Sequence, residues 1–234
     1  MSKPIYIKVK NKLENQIKKG IYKSGDKIPS ERELCEMYDI SRMTARQAVN
    51  ELVNEGLINR EKGRGSFVSS PQFFQRNIRS FTDTLLEQGY EPSTKIIELS
   101  SVSHLKDISI WLGENEDTSY YKIKRLRLAN KIPVAIETVY MPKYRCKNLF
   151  DYDLKQSLYH ILEVEYGYTM QSVSCDIDAC LSSRPIMRIF EVNKPITLLK
   201  VESINLTTNG EKLFYENAYY RSNLYKYHVD IFRR

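Results

Sequence analysis

Residues 29–68 read PSERELCEMYDISRMTARQAVNELVNEGLINREKGRGSFV, and no other stretch restricts the fold as tightly. Ser30 and Glu33, placed after Pro29, have the spacing of a capping box and open a helix. Leu34, Met37 and Tyr38 supply its buried face. Tyr38-Asp39-Ile40 turns the chain, and Ser41 caps a second helix. There Ala45, Ala48, Val49, Leu52 and Val53 share one arc, and Met43, Arg46, Gln47 and Asn50 fall opposite. Gly56 ends that helix. Upstream, Tyr6, Val9, Leu13 and Ile17 form the stripe of an earlier helix stopped by Gly20. Downstream, residues 57–60 and 66–68 read as two short strands around Glu61-Lys62-Gly63-Arg64-Gly65. The two glycines permit positive φ and a close backbone approach, so the pair is a hairpin with Lys62 and Arg64 at its tip.

Two short helices joined by a tight turn make a helix-turn-helix, and the hairpin that follows is its wing. The second helix enters a major groove by its amino-terminal end, where Arg42 holds the first position with Thr44 and Arg46 behind it. Arginine reads guanine through a bidentate contact, and Thr or Gln serves phosphates and base edges. Charge agrees. Residues 1–70 contain 14 Lys and Arg against 9 Asp and Glu, which is +5 of the chain's net +7. A basic excess in one small segment fits a polyanionic partner, although a solvated surface can be basic for no reason of function.

Over residues 4–69 this pattern resembles the DNA-binding domain of the GntR family of bacterial transcription regulators. The resemblance implies operator contacts by Arg32, Arg42 and Arg46, supported by Thr44, Gln47, Lys62, Gly63 and Arg64. Arg32 and Arg42 begin successive helices and Arg64 tips the wing, so folding can gather them on one DNA-facing side.

The chain of 234 residues is 41% hydrophobic and 28% charged, as ordinary globular proteins are. No apolar run approaches the ~20 residues of a membrane span. MSKPIYIKVK lacks a secretory signal, so a cytoplasmic protein is expected. Cys35, Cys146, Cys175 and Cys180 form no Cys-x-x-Cys pair, and with three histidines there is no zinc pattern. All four cysteines read as reduced and structural, and no metal or cofactor is expected.

Pro71 would break a continuing strand, which places a junction there. The expected organisation is a winged helix-turn-helix at 1–70, a linker at 71–79 and a second domain at 80–234. Ser80 caps a helix with Asp83 at its third position; Leu85 and Leu86 face inward, and Gly89 ends it. Period-two alternation then dominates. Val173, Cys175, Ile177, Ala179 and Leu181 share one face of a strand. Tyr225, Tyr227, Val229 and Ile231 alternate with Lys226, His228 and Asp230. Residues 94–103, 119–129, 133–141 and 197–207 read as strands. Asn209-Gly210 turns into a further strand over 212–222. Helices fit 105–112, 156–165 and 183–190. Hairpin-linked strands with a few helices laid on one side give an antiparallel-sheet α+β domain.

Arg125 and Arg127 share a strand face. Two like charges one pleat apart repel unless exposed or bound to an anion, and taken alone the exposed reading is the better one. Glu137 on the neighbouring strand and the helix start at Ser80 offer the alternative, an anion pocket. KIKRLRLANKIPVAIETVYMP and YENAYYRSNLYKYHV resemble the effector-binding (UTRA) domain of the HutC subfamily, over roughly residues 78–233. That domain has the fold of chorismate lyase and binds small metabolites. The resemblance implies a pocket lined by Ser80, Phe81, Thr82, Arg125, Arg127, Glu137, Ser157, Tyr159, Glu216 and Tyr220. The chain departs from the family at Arg221-Ser222-Asn223-Leu224-Tyr225, where members often carry Arg-Gly-Asp-Arg-Tyr. The acidic residue of the preceding strand is displaced by two, to Glu216, and a shift of two keeps the face.

The function these features support is a homodimeric repressor on a near-palindromic operator in double-stranded DNA. A small metabolite, best a sugar phosphate or another small anion, would control it. An enzyme acting on an anionic substrate is the alternative, yet the sequence shows no nucleophile-base pair, metal cluster or phosphate-cradling glycine loop. An architectural DNA binder without a ligand would leave the large second domain unexplained.

Overall fold

The computed structural model describes residues 4–23, 25–69, 72–75 and 77–229. The chain divides into two compact units, 1–71 and 72–234. Pro71, Asp230 and Ile231, used in the reading above, lie outside the described residues.

The first unit contains α1 (Ile5–Lys18), α2 (Glu31–Tyr38), α3 (Arg42–Asn54), β1 (Ile58–Glu61) and β2 (Gly65–Val68). The capping box is present: Ser30 Oγ accepts from the Glu33 amide, and Glu33 accepts from the Ser30 amide at 2.7 Å. Ser41 Oγ accepts from the Thr44 amide at the start of α3. Between α2 and α3, Asp39 takes a left-handed φ of 49°, a conformation Asp tolerates better than most residues. Val9, Leu13, Leu34, Ala45, Ala48, Val49 and Leu52 close one core with Ile58 and Val68. Met37 does not join it and is 56% exposed. Residues advance about 100° each around a helix, and the inward arc is centred between Leu34, Cys35 and Tyr38, which turns Met37 outward. β1 and β2 pair antiparallel from Ile58↔Val68 to Glu61↔Gly65, leaving Lys62-Gly63-Arg64 as the turn. Gly63 holds φ +78° there.

The second unit begins with β3 (Phe73–Gln75), α4 (Phe81–Glu87), β4 (Pro92–Val102), α5 (Lys106–Leu112), β5 (Tyr120–Ala129) and β6 (Ile132–Pro142). It continues with α6 (Leu158–Tyr166), β7 (Met170–Leu181), α7 (Arg184–Ile189), β8 (Thr197–Thr207), β9 (Lys212–Arg221) and β10 (Tyr225–Tyr227). Six strands form one antiparallel sheet in the order β4-β5-β6-β9-β8-β7. The stretch read as linker is partly structured. β3 pairs in parallel with β10, and Phe73 is fully buried.

Helices cover both faces of the sheet, not one. Tyr121, Ile123, Val139 and Phe214 pack with Leu158, Ile161 and Leu162 of α6. Ala135, Val201, Ala218 and Tyr220 pack with Phe81 and Leu85 of α4 and with Phe73 and Tyr225. The alternate residues Leu126, Ile136 and Leu198 meet α7, and Tyr120 and Tyr215 meet Leu112 of α5. β5 and β6 carry buried residues at both parities, so each face has a cover. Leu86 points away at 58% exposure, because the buried positions of α4 are Phe81, Thr84 and Leu85. β7 is an edge strand, and Cys175, Ile177 and Leu181 on its apolar parity are exposed. Val229, expected in a long carboxy-terminal strand, lies past the end of the three-residue β10 and is 64% exposed. No described helix is long and apolar enough to cross a membrane.

Candidate functional site

In the first unit, Arg42 is the first residue of α3 and exposed, with Arg46 and Gln47 exposed a turn later. Thr44 is half-buried, and its hydroxyl lies 2.9 Å from Ser41 Oγ. Arg32, near the start of α2, holds Glu36 at 3.1 Å. Arg64 pairs with Glu61 and stands over the Phe67 ring at 5.4 Å. Lys62 and Gly63 are exposed on the turn. The sequence reading missed Glu31. Its carboxylate takes Arg60 Nη2 at 2.9 Å and lies 3.7 Å from Arg46 Nε, tying α2 to the wing and to α3. A pair separated by 29 residues leaves no spacing signal. Exposed pairs of this kind are worth ~0–1 kcal/mol, so a phosphate can displace the carboxylates at little cost.

In the second unit, the sheet face between the α4 and α6 clusters floors a cavity of about 400 Å³. Arg125 and Glu137 are directly paired across β5 and β6, and their side chains form a short ion pair. Arg127 Nη1 donates to the same Glu137 oxygen at 2.9 Å, and its Nη2 donates to Thr82 Oγ1 at 2.9 Å. Arg125 Nη1 also donates to the carbonyls of Leu154 and Gln156 at 3.1 and 3.2 Å. Arg127 stacks over Phe81 at 4.8 Å. The three charged residues are 2–4% exposed, which replaces the surface reading of the arginine pair with a buried one. The Nε atoms of both arginines are buried without a hydrogen-bond partner among the described residues.

Eight of the ten residues expected here line this cavity: Ser80, Phe81, Arg125, Arg127, Glu137, Tyr159, Glu216 and Tyr220. Thr82 and Ser157 instead line a second depression with Gln156 and His160. Thr82 receives Arg127 from that side, and Ser157 is occupied in capping α6. Glu216 faces the cavity, as the two-residue displacement requires. Ser203 and Asn205 on β8 also line it and were missed. Locally Ser203 and Asn205 alternate with Ile204 and Leu206, but Lys200 and Glu202 on the Ile204 parity, with Leu199 and Val201 on the other, blur that signal in the sequence.

Burial pushes the Glu137 carboxyl up, but Arg125 and Arg127 outweigh it and hold the group below the usual carboxylate range. Glu216 goes the other way: burial, reinforced by Glu137, pushes it up to about 8 against the pull of the two arginines. Near neutral pH the cluster therefore holds two guanidiniums and one carboxylate, a net positive site.

Residues 5–68 match the family described as "Bacterial regulatory proteins, gntR family", and residues 87–226 match the UTRA domain. The chain belongs to the GntR family of bacterial regulatory proteins. It is 32% identical to the "HTH-type transcriptional repressor NagR" of Bacillus subtilis (strain 168), over 96% of this chain and 93% of that one. It is 26% identical to the "Probable fructoselysine utilization operon transcriptional repressor" of Escherichia coli (strain K12), over 94% and 91%. The crystal structure of PhnF from Mycobacterium smegmatis superposes with a TM-score of 0.76 at 21% identity, covering 97% of this chain and all of that one. A GntR-family chain with a UTRA domain is a DNA-binding transcription regulator with an effector-binding domain. The enzyme alternative falls with that membership.

In this GntR-family chain the state of Glu216 gives a pH prediction. Below about 8 it is neutral; above, it adds a negative charge to the cavity. A phosphate monoester is already a dianion through this range. For such an anion bound in this cavity, affinity should fall by up to about tenfold between pH 7 and 9, the factor by which the neutral fraction of Glu216 drops. Titration calorimetry with a hexose phosphate checks this, and Glu216→Gln should flatten the profile. A slope that survives in Glu216→Gln would place the titrating group elsewhere.

Proposed function

We propose that this chain is a cytoplasmic, homodimeric repressor whose affinity for a near-palindromic operator is set by a small anion, best a sugar phosphate. In this reading residues 1–70 hold DNA through Arg32, Arg42, Thr44, Arg46, Gln47, Lys62, Gly63 and Arg64, and residues 80–234 hold the effector. The observation that carries the effector class is the buried, net positive Arg125–Arg127–Glu137 cluster on a cavity floor. A cavity with excess guanidinium charge favours a ligand that completes it. Two relatives named as repressors support the direction of control, and one of those names refers to a sugar derivative. A homodimer would present two copies of α3 to two half-sites.

Fluorescence anisotropy with operator and scrambled duplex, with and without a panel of sugar phosphates, tests the proposal. An operator complex that no sugar phosphate weakens would remove the effector class. Arg42→Ala should cost ~1–3 kcal/mol of discrimination at one base pair. Lys62→Ala should weaken operator and random duplex evenly and lower the salt slope by about one phosphate contact. Equal losses on both duplexes for Arg42→Ala would assign Arg42 to the backbone instead.

A further inference from the structure

The floor of the effector cavity changes character across the strands. Arg125 lies opposite Glu137, and the adjacent row runs Val139↔Glu216↔Ser203↔Cys175 over β6, β9, β8 and β7. One step further along β8, Asn205 lies between Val173 and Phe214. The cationic end is on β5, and Ser203 and Asn205 are on β8, three strand spacings away, or about 14 Å. Between them the floor holds Glu137 and Glu216.

Asn205 is 1% exposed and lines the cavity. Its Oδ1 accepts the Tyr159 hydroxyl hydrogen bond. The Nδ2 group is buried with no hydrogen-bond partner among the described residues. Folded proteins rarely leave such a donor unpaired unless a water or a ligand meets it. Ser203, 4% exposed, stands beside it on the same face. Ser203 and Asn205 themselves are uncharged, so this part of β8 offers neutral hydrogen bonding, with Arg79 and His228 elsewhere on the cavity lining. The cavity, at about 400 Å³, has room for far more than one small anion, within the ~300–1,000 Å³ usual for ligand sites.

We propose that Asn205 and Ser203 form a second, neutral subsite that takes a hydrogen-bond-accepting oxygen of the effector, making the effector two-ended: an anionic group at Arg125 and Arg127, and an uncharged, oxygen-bearing group reaching β8. This rests on the effector reading above and narrows it to ligands long enough to reach across the floor. Asn205 acts as a specificity residue, because a buried amide that must be met by an acceptor rejects ligands lacking one.

The test is titration calorimetry on the full chain with inorganic phosphate and a panel of hexose 6-phosphates. Asn205→Leu removes the donor; Asn205→Asp keeps the shape and Tyr159's acceptor but turns the donor into an acceptor. Each variant should bind the best hexose phosphate about 10–100-fold more weakly, the range expected for a lost buried hydrogen bond to ligand. The ratio of hexose phosphate to inorganic phosphate affinity should fall by a similar factor, which separates loss of the neutral contact from general damage or added charge. Operator binding should stay unchanged, and a thermal unfolding midpoint of the second unit close to the wild type's reports folding. Equal losses for both ligands, or undiminished hexose phosphate binding, would overturn the neutral subsite and leave the anion site standing. A wild-type chain that binds none of the phosphorylated probes would overturn both.

Discussion

Glu137→Ala will destabilise the second unit by about 3–5 kcal/mol, the cost of removing one partner from a buried ion pair. Among the described residues, Glu137 is the carboxylate that ion-pairs with Arg125 and Arg127, each of which is nearly inaccessible to water. Its loss leaves two like charges on one strand face with carbonyls and Thr82 as their remaining partners. A unit of this size shifts its Tm by roughly 2–4 °C per kcal/mol, so calorimetry should show a fall of about 10 °C. The sign of the pH dependence also follows. The arginines hold the folded-state carboxyl of Glu137 below its unfolded value, so its contribution is present above the ordinary carboxylate range and is lost as pH falls through the depressed value. The wild type should therefore lose its advantage over Glu137→Ala in acid. Phosphate should raise the Tm of Glu137→Ala more than that of the wild type, since an anion can take the carboxylate's place. A Tm within 2 °C of the wild type would mean that the guanidiniums find other partners.

Arg125→Ala will abolish the response to effector while leaving operator binding intact. Truncating one member of a buried, hydrogen-bonded charge group that meets a ligand costs ~2–5 kcal/mol, or about 30-fold and upward in affinity. Arg125 also ties β5 to the carbonyls of Leu154 and Gln156, ahead of α6, so the alanine variant loosens the cavity wall as well. Under the proposed function, any thermal shift that a sugar phosphate gives the wild type should vanish in this variant at the same concentrations. The arginines proposed for DNA contact lie in the other unit, so operator affinity without effector should change less than twofold. A thermal shift that survives for every sugar phosphate would take Arg125 out of the site.

The reach of the sequence differs between the two units. In the first, the caps at Ser30 and Ser41, the turn at Asp39 and the wing at Gly63 are all short-range devices, and each appears where the residues place it. In the second, strand positions and the hairpin at Asn209-Gly210 were legible, yet the linker stretch concealed β3, whose pairing with Tyr225–Tyr227 joins residues about 150 positions apart. Met37 and Leu86 were misplaced for one reason: short helices give a stripe too few members to centre it. The arginine pair shows the deeper limit. Alternation put Arg125 and Arg127 on one face, but burial depended on which strand and helices lay over them.

Sequence alone determined the local conformations, the family motifs and the parity that points Glu216 the same way as its displaced counterpart, since caps and pleats depend on residues a few positions apart. Tertiary structure decided what those side chains meet. β9 is inserted between β6 and β8, and that placement brings Glu216, Ser203 and Asn205 across the floor from the arginines. Strand order is set by packing between segments far apart in the chain, and a period-two pattern carries no record of which strand will be its neighbour.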